Sequence, residues 1–339
     1  MNYEIPTYKV VVKSPDGKTF DTAGIITGLT LTESKSQLAQ RATIRMFNRY
    51  ISKHGYPSNL FPVRSRVFIY AKGGGKTKRE EVFRGYVWDT DYSLGNGTQL
   101  TLTCYDNMIY FMNSQILTYF SKGKSTKEIV KTLMERRGVK LTYNYSSITH
   151  PKLPLSGTLA DVLTSELLDE VQKKKGVKYV VKSKKGKIYI DKQGSNEKAY
   201  CISRGSQSIM QSYNRSVTMD GMVTSVIIAG KSDENGKRKI EERVDKNRKT
   251  YGTLAKIIYK DEDTKLSEVK KEANYILDEN ATPQREYEVT ALDIPWIRKG
   301  DRVRIEFNKG TYHDCVVNEI THNCDQATMT LNVRRMKKK

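Results

Sequence analysis

The sequence predicts a mainly β protein with an α+β domain inserted between two β modules. One observation behind this is a pattern that occurs twice, as VRSRVFIYAKG (Val63–Gly73) and as IRKGDRVRIEFNKG (Ile297–Gly310). Arg66, Val67 and Ile69 match Arg302, Val303 and Ile305 at an offset of 236. A loop seven residues shorter in the second copy brings the offset to 229, from Val87/Val316 through Leu100/Met329 to Leu102/Leu331. A second observation is that each copy alternates apolar and polar residues, the period of a strand with one buried face. The third is a middle stretch whose apolar residues recur at helical spacing instead.

Taken in order, residues 1–106 predict strands at Tyr8–Val12, Ile25–Thr32, Ala42–Phe47, Arg66–Ala71, Val82–Asp91 and Gln99–Tyr105. Turn signals such as Ser14-Pro15-Asp16-Gly17 and Gly95-Asn96-Gly97 separate them. Short strands at this spacing make a barrel or a sandwich. In the middle third, Ser125-Thr-Lys-Glu128 has the form of a capping box. Ile129, Val130, Leu133 and Met134 follow it on one helical face, and Gly138 ends the run. A strand at Val139–Tyr143 comes next, then a helix from Leu159 to Lys175-Gly176. A hairpin, Val177–Val181 with Lys187–Asp191, turns at Lys184-Lys185-Gly186. The last third predicts a strand at Met222–Ala229, a charged loop or arm over Lys231–Lys249, and a helix at Leu266–Leu277. Strands Glu286–Leu292, Asp301–Phe307, Thr311–His322 and Thr328–Val333 finish it, with a mobile basic tail from Arg334. The domains are therefore placed at residues 1–110, 111–210 and 211–339.

At 339 residues the chain can hold two or three cores. No apolar run approaches the roughly 20 residues of a membrane span, so no membrane role is expected. The N-terminus lacks the apolar region of a signal peptide, which points to synthesis and assembly in the cytoplasm. Four cysteines in so long a chain make no disulfide framework. The net charge of +21 is uneven: Lys and Arg against Asp and Glu count 15 and 9 over residues 1–110, 19 and 8 over 111–210, and 25 and 21 over 211–339. Such an excess suits nucleic acid, an anionic surface or an acidic protein.

Candidate chemistry is thin. Gly73-Gly74-Gly75-Lys76-Thr77 lacks the first glycine of a phosphate loop, its place being held by Tyr70, and it joins two strands instead of opening a helix. His313, Cys315, His322 and Cys324 are metal-ligand types, but alternation places them on one continuous strand. That sets His313 and His322 roughly 30 Å apart on opposite faces, whereas a zinc site needs every ligand within ~2.3 Å of one ion. They are read as strand-surface residues, with no metal and no cofactor. The four histidines, at 54, 150, 313 and 322, stand in no motif with Ser, Cys or Asp, so no catalytic residue is assigned. Asp89 and Asp91 share a strand face near a turn and read as a solvated strand end. Lys173, Lys174, Lys175, Lys178, Lys182, Lys184, Lys185 and Lys187 surround Tyr179 and Tyr189. That cluster could bind single-stranded nucleic acid by phosphate contact and stacking, dock an acidic protein partner, or simply keep a hairpin soluble.

Several stretches resemble the baseplate hub family (late-control protein D type) of contractile phage tails. They are Phe83-Arg-Gly-Tyr-Val-Trp-Asp89, Leu102-Thr-Cys-Tyr-Asp106-Asn-Met-Ile-Tyr110, Gly123-Lys-Ser-Thr-Lys-Glu-Ile-Val130, Gly221-Met-Val-Thr-Ser-Val226 and Arg298-Lys-Gly-Asp-Arg-Val303. The likeness is closer to hubs of PBSX-like defective prophages and tail-derived bacteriocins. It implies two tube-like β-barrels per chain and a homotrimer whose six barrels match a hexameric tail tube on one side and a trimeric central spike on the other. The implied partners are the tail tube or tube-initiator protein, the spike, other baseplate proteins and the tape measure, in a virion tail baseplate or tail-like particle. It implies a structural protein and not an enzyme, without the peptidoglycan hydrolase that some hubs append. The other reading is a nucleic-acid-binding protein that uses the basic hairpin around Lys173–Lys187.

Overall fold

The computed structural model describes residues 3–93, 98–204, 209–260 and 264–336. The predicted turn at Gly95-Asn96-Gly97 and the tail residues Lys337–Lys339 lie outside them. The alternating N-terminal third forms β1 (Thr7–Lys13), β2 (Thr19–Asp21), β3 (Ile26–Glu33), β4 (Arg41–Phe47), β5 (Arg66–Gly73), β6 (Lys76–Ser93) and β7 (Gln99–Asp106). The middle adds β8 (Gln115–Phe120), β9 (Leu141–Asn144), β10 (Leu153–Thr158), β11 (Tyr179–Lys184) and β12 (Lys187–Lys192). Next come β13 (Tyr200–Ile202), β14 (Met210–Thr218), β15 (Ser225–Ser232), β16 (Arg238–Asp245) and β17 (Ala255–Tyr259). The chain closes with β18 (Gln284–Leu292), β19 (Arg302–Asn308), β20 (Thr311–Asn323) and β21 (Thr328–Arg335). Arg334 and Arg335 thus belong to the last strand and not to a tail, because their backbone pairs with Val316 and Cys315.

The chain divides into two compact units. The larger comprises Met1–Leu168, Lys178–Asn214 and Tyr287–Lys339; the smaller comprises Asp169–Val177 and Arg215–Glu286. In the larger unit, a thirteen-stranded sheet runs in the order β14-β18-β21-β20-β3-β4-β7-β6-β5-β1-β2, with β19 and β13 branching from β20. Among the described residues no sheet closes on itself.

The repeat is real and larger than the sequence suggests. In chain order β3-β4-β5-β6-β7 lie side by side as β3-β4-β7-β6-β5, and β14-β18-β19-β20-β21 lie as β14-β18-β21-β20-β19. The two modules match residue by residue. Ala42, Ile44 and Met46 face Cys104, Leu102 and Leu100, as Tyr287, Val289 and Ala291 face Val333, Leu331 and Met329. Every one of these side chains is buried. A β-bulge interrupts β6 between Val87 and Asp89, and another interrupts β20 between Val317 and Glu319. Val87 exchanges backbone hydrogen bonds with Arg64 and Ser65, as Val317 does with Gly300 and Asp301. Arg64 even shares the left-handed backbone of Gly300, at φ 70° and 82°. The structural partner of Val87 is therefore Val317, not Val316. The offset is 236 on β5, 230 along β6 and 229 on β7, because one residue of the length difference sits in the β20–β21 turn.

The helices and hairpin of the middle third form where the sequence places them, but the segment divides between the units, Asp169–Val177 belonging to the smaller and Lys178–Asn214 to the larger. The helix Thr126–Glu135 opens on a complete Ser125/Glu128 capping box, which satisfies two amides that the helix cannot. It buries Ile129, Val130, Leu133 and Met134 against Leu159, Leu163, Leu167 and Ile188. The second helical stretch starts at Leu159–Asp161, widens into a π-helix over Val162–Leu168 and returns to α over Asp169–Lys175. The β11–β12 hairpin turns at Lys185-Gly186, whose φ values of 50° and 76° suit a two-residue hairpin turn. In the smaller unit, β15 is flanked by β16 and β17, and the helix Leu266–Asn280 covers the sheet with Val269, Ala273, Ile276 and Leu277. The stretch expected as a charged arm thus contains the antiparallel strand β16. Its charged side chains hide an edge strand, since most of them face solvent.

Candidate assembly interface

The two modules meet along β3 and β20, antiparallel from Ile320↔Glu33 to Asn323↔Thr30. The alternation of β3 places Glu33 on a buried face at the end of the strand. A buried carboxylate costs several kcal/mol unless paired. Arg298 supplies the pair: its Nε and Nη2 both donate to the Glu33 carboxylate, and Nη1 donates to the Ser183 carbonyl at 3.3 Å. Burial pushes the Glu33 carboxyl up, and the guanidinium overrides it, so the carboxyl sits below its usual range. Next to it, Lys299 Nζ donates to the carbonyls of Ser34 and Gln37, each at 2.8 Å. Behind it Asp106 accepts from the amides of Met108 at 2.9 Å and Gln40 at 3.2 Å. Burial lifts the Asp106 carboxyl to about 7, against the smaller opposing pull of those amides and Arg298.

A second latch centres on Asp293, which is fully buried. His322 Nδ1 lies 2.6 Å from its Oδ1, while Nε2 lies 3.1 Å from the Ile297 carbonyl. The Tyr8 hydroxyl donates to its Oδ2, and the Tyr3 hydroxyl to its carbonyl. Residues of the first module's edge are thereby bonded to the second module. Sequence reasoning misses this histidine–aspartate pair, because the partners are 29 residues apart and meet only through the sheet order β18-β21-β20. Cys324 lies beside it, its thiol pushed well up by burial. His322 is 1% exposed, so the group lies inside the joint that it helps to bond.

The other sequence candidates separate. His313, Cys315 and His322 do lie on one strand, β20, with Cys324 just beyond it. Cys315, His322 and Cys324 are buried, not strand-surface residues: Cys315 and Cys324 pack into the two module cores, and His322 meets Asp293 and the Ile297 carbonyl. Among the described residues no group of His, Cys, Asp and Glu is placed to hold a metal. The glycine run is the β5–β6 hairpin turn, where a side chain on Gly74 would strike Pro295 at 2.8 Å. Lys173, Lys174 and Lys175 end a helix in the smaller unit, where Lys173 pairs with Glu170 at 2.7 Å and Glu272 at 3.6 Å. In the larger unit Lys182 is buried against Asp301, so it faces no partner. Lys184 and Lys187 flank the Tyr189 ring at 5.8 and 5.5 Å. The hairpin tip is fastened to the first module: Arg84 Nη1 donates to the Lys185 carbonyl at 3.3 Å and Asn107 Nδ2 to that of Gly186 at 3.2 Å. No helix among the described residues is long and apolar enough to cross a membrane.

Residues 72–334 match the family model described as YQBQ-like. No curated protein sequence matches the chain. Several solved structures share the fold over nearly its whole length. The 43 kDa tail protein of prophage MuSo2 from Shewanella oneidensis is 16% identical, with a TM-score of 0.68 over 97% of this chain and 98% of that one. A tail protein from Neisseria meningitidis MC58 is 12% identical, with a TM-score of 0.66 over 97% of each. Prophage tail protein gp18 from Listeria monocytogenes EGD-e is 10% identical, with a TM-score of 0.62 over 98% and 95%.

Proposed function

We propose that this chain, which belongs to the YQBQ-like family, is a structural component of a phage-type tail and acts as the hub of its baseplate. The observation that carries the reading is the five-strand module present twice in one chain and joined strand to strand by β3 and β20. A tube of six equal subunits offers six equal contacts, and a trimer meets all six only if each chain presents two alike surfaces. Three chains with modules near residues 1–110 and 211–339 would supply six tube-like barrels, and the segment near 111–210 would lie outside the ring. The tail proteins that share the fold support this assignment, as does a covering match to each of them from end to end.

In this reading the ring adapts a sixfold tail tube or its initiator to a threefold central spike, near the tape measure and other baseplate proteins. Lys173–Lys175 and the hairpin lysines Lys184, Lys185 and Lys187 are docking points for acidic neighbours. The purified chain is expected to be a trimer by light scattering and a ring with near-sixfold outline in negative-stain images. A monomer at micromolar concentration, or a trimer without a central channel, would defeat the hub assignment.

A further inference from the structure

We propose that the cleft between β6, the tip of the β11–β12 hairpin and the loop before β19 docks an acidic peptide segment of a neighbouring tail protein. Carboxylates of the segment would meet Lys184 and Lys185, and an apolar side chain would lie against Trp296 and Tyr189. The proposal rests on the hub reading and gives its docking lysines a definite site and partner.

The cleft lies within the larger unit and holds about 350 Å3, at the lower end of the range that ligand pockets span. Its walls are fastened by bonds of the chain's own. Trp296 Nε1 donates to the Gly73 carbonyl at 3.2 Å, and the Lys76 ammonium sits 4.1 Å from the centre of the Trp296 ring. On the hairpin side, Arg84 and Asn107 donate to the carbonyls of Lys185 and Gly186, and Ser183 Oγ donates to Asn107 Oδ1 at 2.7 Å. Walls already ordered lose little freedom when a segment binds.

Most charges that line the cleft are matched within it. Arg84 grips both oxygens of Glu81, at 3.0 and 2.7 Å, and Lys76 meets Glu80 at 2.9 Å. Arg298 is held by Glu33. Lys184 and Lys185 differ: both reach solvent, and among the described residues neither has a carboxylate at ion-pair distance, Asp301 being taken by Lys182. Partial burial, and after it the charge of Lys182, hold the Lys184 ammonium below the usual lysine range. A carboxylate brought to these lysines therefore gains a charge-assisted hydrogen bond without breaking an ion pair. Trp296 and Tyr189 are half-buried, which leaves part of each ring for an apolar side chain.

The same lining favours a peptide over nucleic acid. Glu80 and Glu81 accept hydrogen bonds, which the N–H groups of a peptide supply. A phosphodiester backbone has no such donor and meets them with its own negative charge. Two lysines without a carboxylate are also a short track for a charged backbone, which tight binding needs in many places.

Fluorescence polarisation on the full chain tests this in 0.15 M salt. The probes are the labelled pentapeptide Asp-Glu-Phe-Asp-Glu, its counterpart Lys-Lys-Phe-Lys-Lys and labelled oligothymidine. The acidic peptide is expected to bind at least tenfold more tightly than the basic one, and to lose about fivefold when its Phe is replaced by Gly. Lys184→Glu with Lys185→Glu is expected to weaken it by about tenfold or more. Both side chains are exposed, so circular dichroism of that variant should match the parent. Acidic and basic peptides bound alike, or binding unchanged in the variant, overturns the proposal. So does oligothymidine that displaces the acidic peptide and is itself lost in the variant, which would make the cleft a nucleic-acid site. Light scattering on the same samples separates the two readings. A trimer that ignores the acidic peptide overturns the cleft and leaves the hub; a monomer that binds it supports the cleft and overturns the hub.

Discussion

Lys182 and Lys185 stand in one basic run, yet the fold gives them different work. Lys182 is on the buried face of β11, where its ammonium meets Asp301, and Lys185 is at the exposed tip of the hairpin. Removing one partner of a buried pair leaves the other charge without compensation, so Lys182→Ala is expected to cost about 3 kcal/mol in urea unfolding. Lys185→Glu should change stability by less than about 0.5 kcal/mol. If Lys184, Lys185 and Lys187 dock an acidic neighbour, reversing all three should reduce incorporation into baseplates with the fold intact; unchanged incorporation would count against docking. Asp106 gives a pH signature. Its folded value of about 7 lies above the ordinary 3.8, so the folded state holds the proton more tightly. That contribution is full below about pH 4 and is lost as pH rises towards 7. Glu33, held low by Arg298, works in the opposite sense and loses its contribution as pH falls below its ordinary 4.5. Unfolding measured from pH 4.5 to 7.5 should therefore show stability declining with pH, and Asp106→Asn should flatten that slope. An unchanged slope in the variant would remove Asp106 as its source.

At the scale of the element, the sequence was most legible where one face of a strand is buried. Alternation located β1, β3, β4, β5 and β7 with ends within two residues and β6 only from Val82, six residues after it begins, and the capping box located the helix from Thr126. It failed where side chains face solvent on both sides: β16 reads as a charged arm because its partners, not its own pattern, make it a strand. The short pair β8 and β10 was missed for a related reason, since Leu117 is 89% exposed and breaks the expected pattern. The equivalence of Val87 with Val317 was also hidden, because one residue of the length difference lies in the β20–β21 turn, where no composition signal marks it. The bulge itself sets which face each later residue takes. Deleting Thr321, in the regular ladder beyond the bulge, would shift His322 and Asn323 by one and turn His322 out of the core. Such a deletion is expected to abolish soluble expression, whereas Asn318→Ser should cost less than about 1 kcal/mol in thermal unfolding. A well-folded Thr321 deletion would show that the buried face of β20 does not fix its register.

For the whole molecule the informative contrast is between how the two functional readings respond to salt. The buried dyads at the module joint were illegible in the sequence, since Glu33 and Arg298 are 265 residues apart and only the return of the chain to its first module joins them. Such a joint consists of strand pairing and desolvated pairs, which mobile ions screen weakly. A ring assembled by the same kind of contact should keep its mass between 0.15 and 1 M sodium chloride, to within about twofold in dissociation constant. Nucleic-acid binding through +21 of net charge would behave in the opposite way. Each neutralised phosphate releases condensed counterions, so a chain that makes six or more such contacts should lose roughly 1,000-fold in affinity between 50 and 200 mM salt. Sedimentation across that range, with and without single-stranded DNA, separates the two. A trimer that persists while DNA dissociates assigns the charge to solvation and docking around a structural ring. A chain that dissociates into monomers as salt rises, and binds DNA tightly at low salt, would make the lysines the functional surface and the duplicated module only its scaffold.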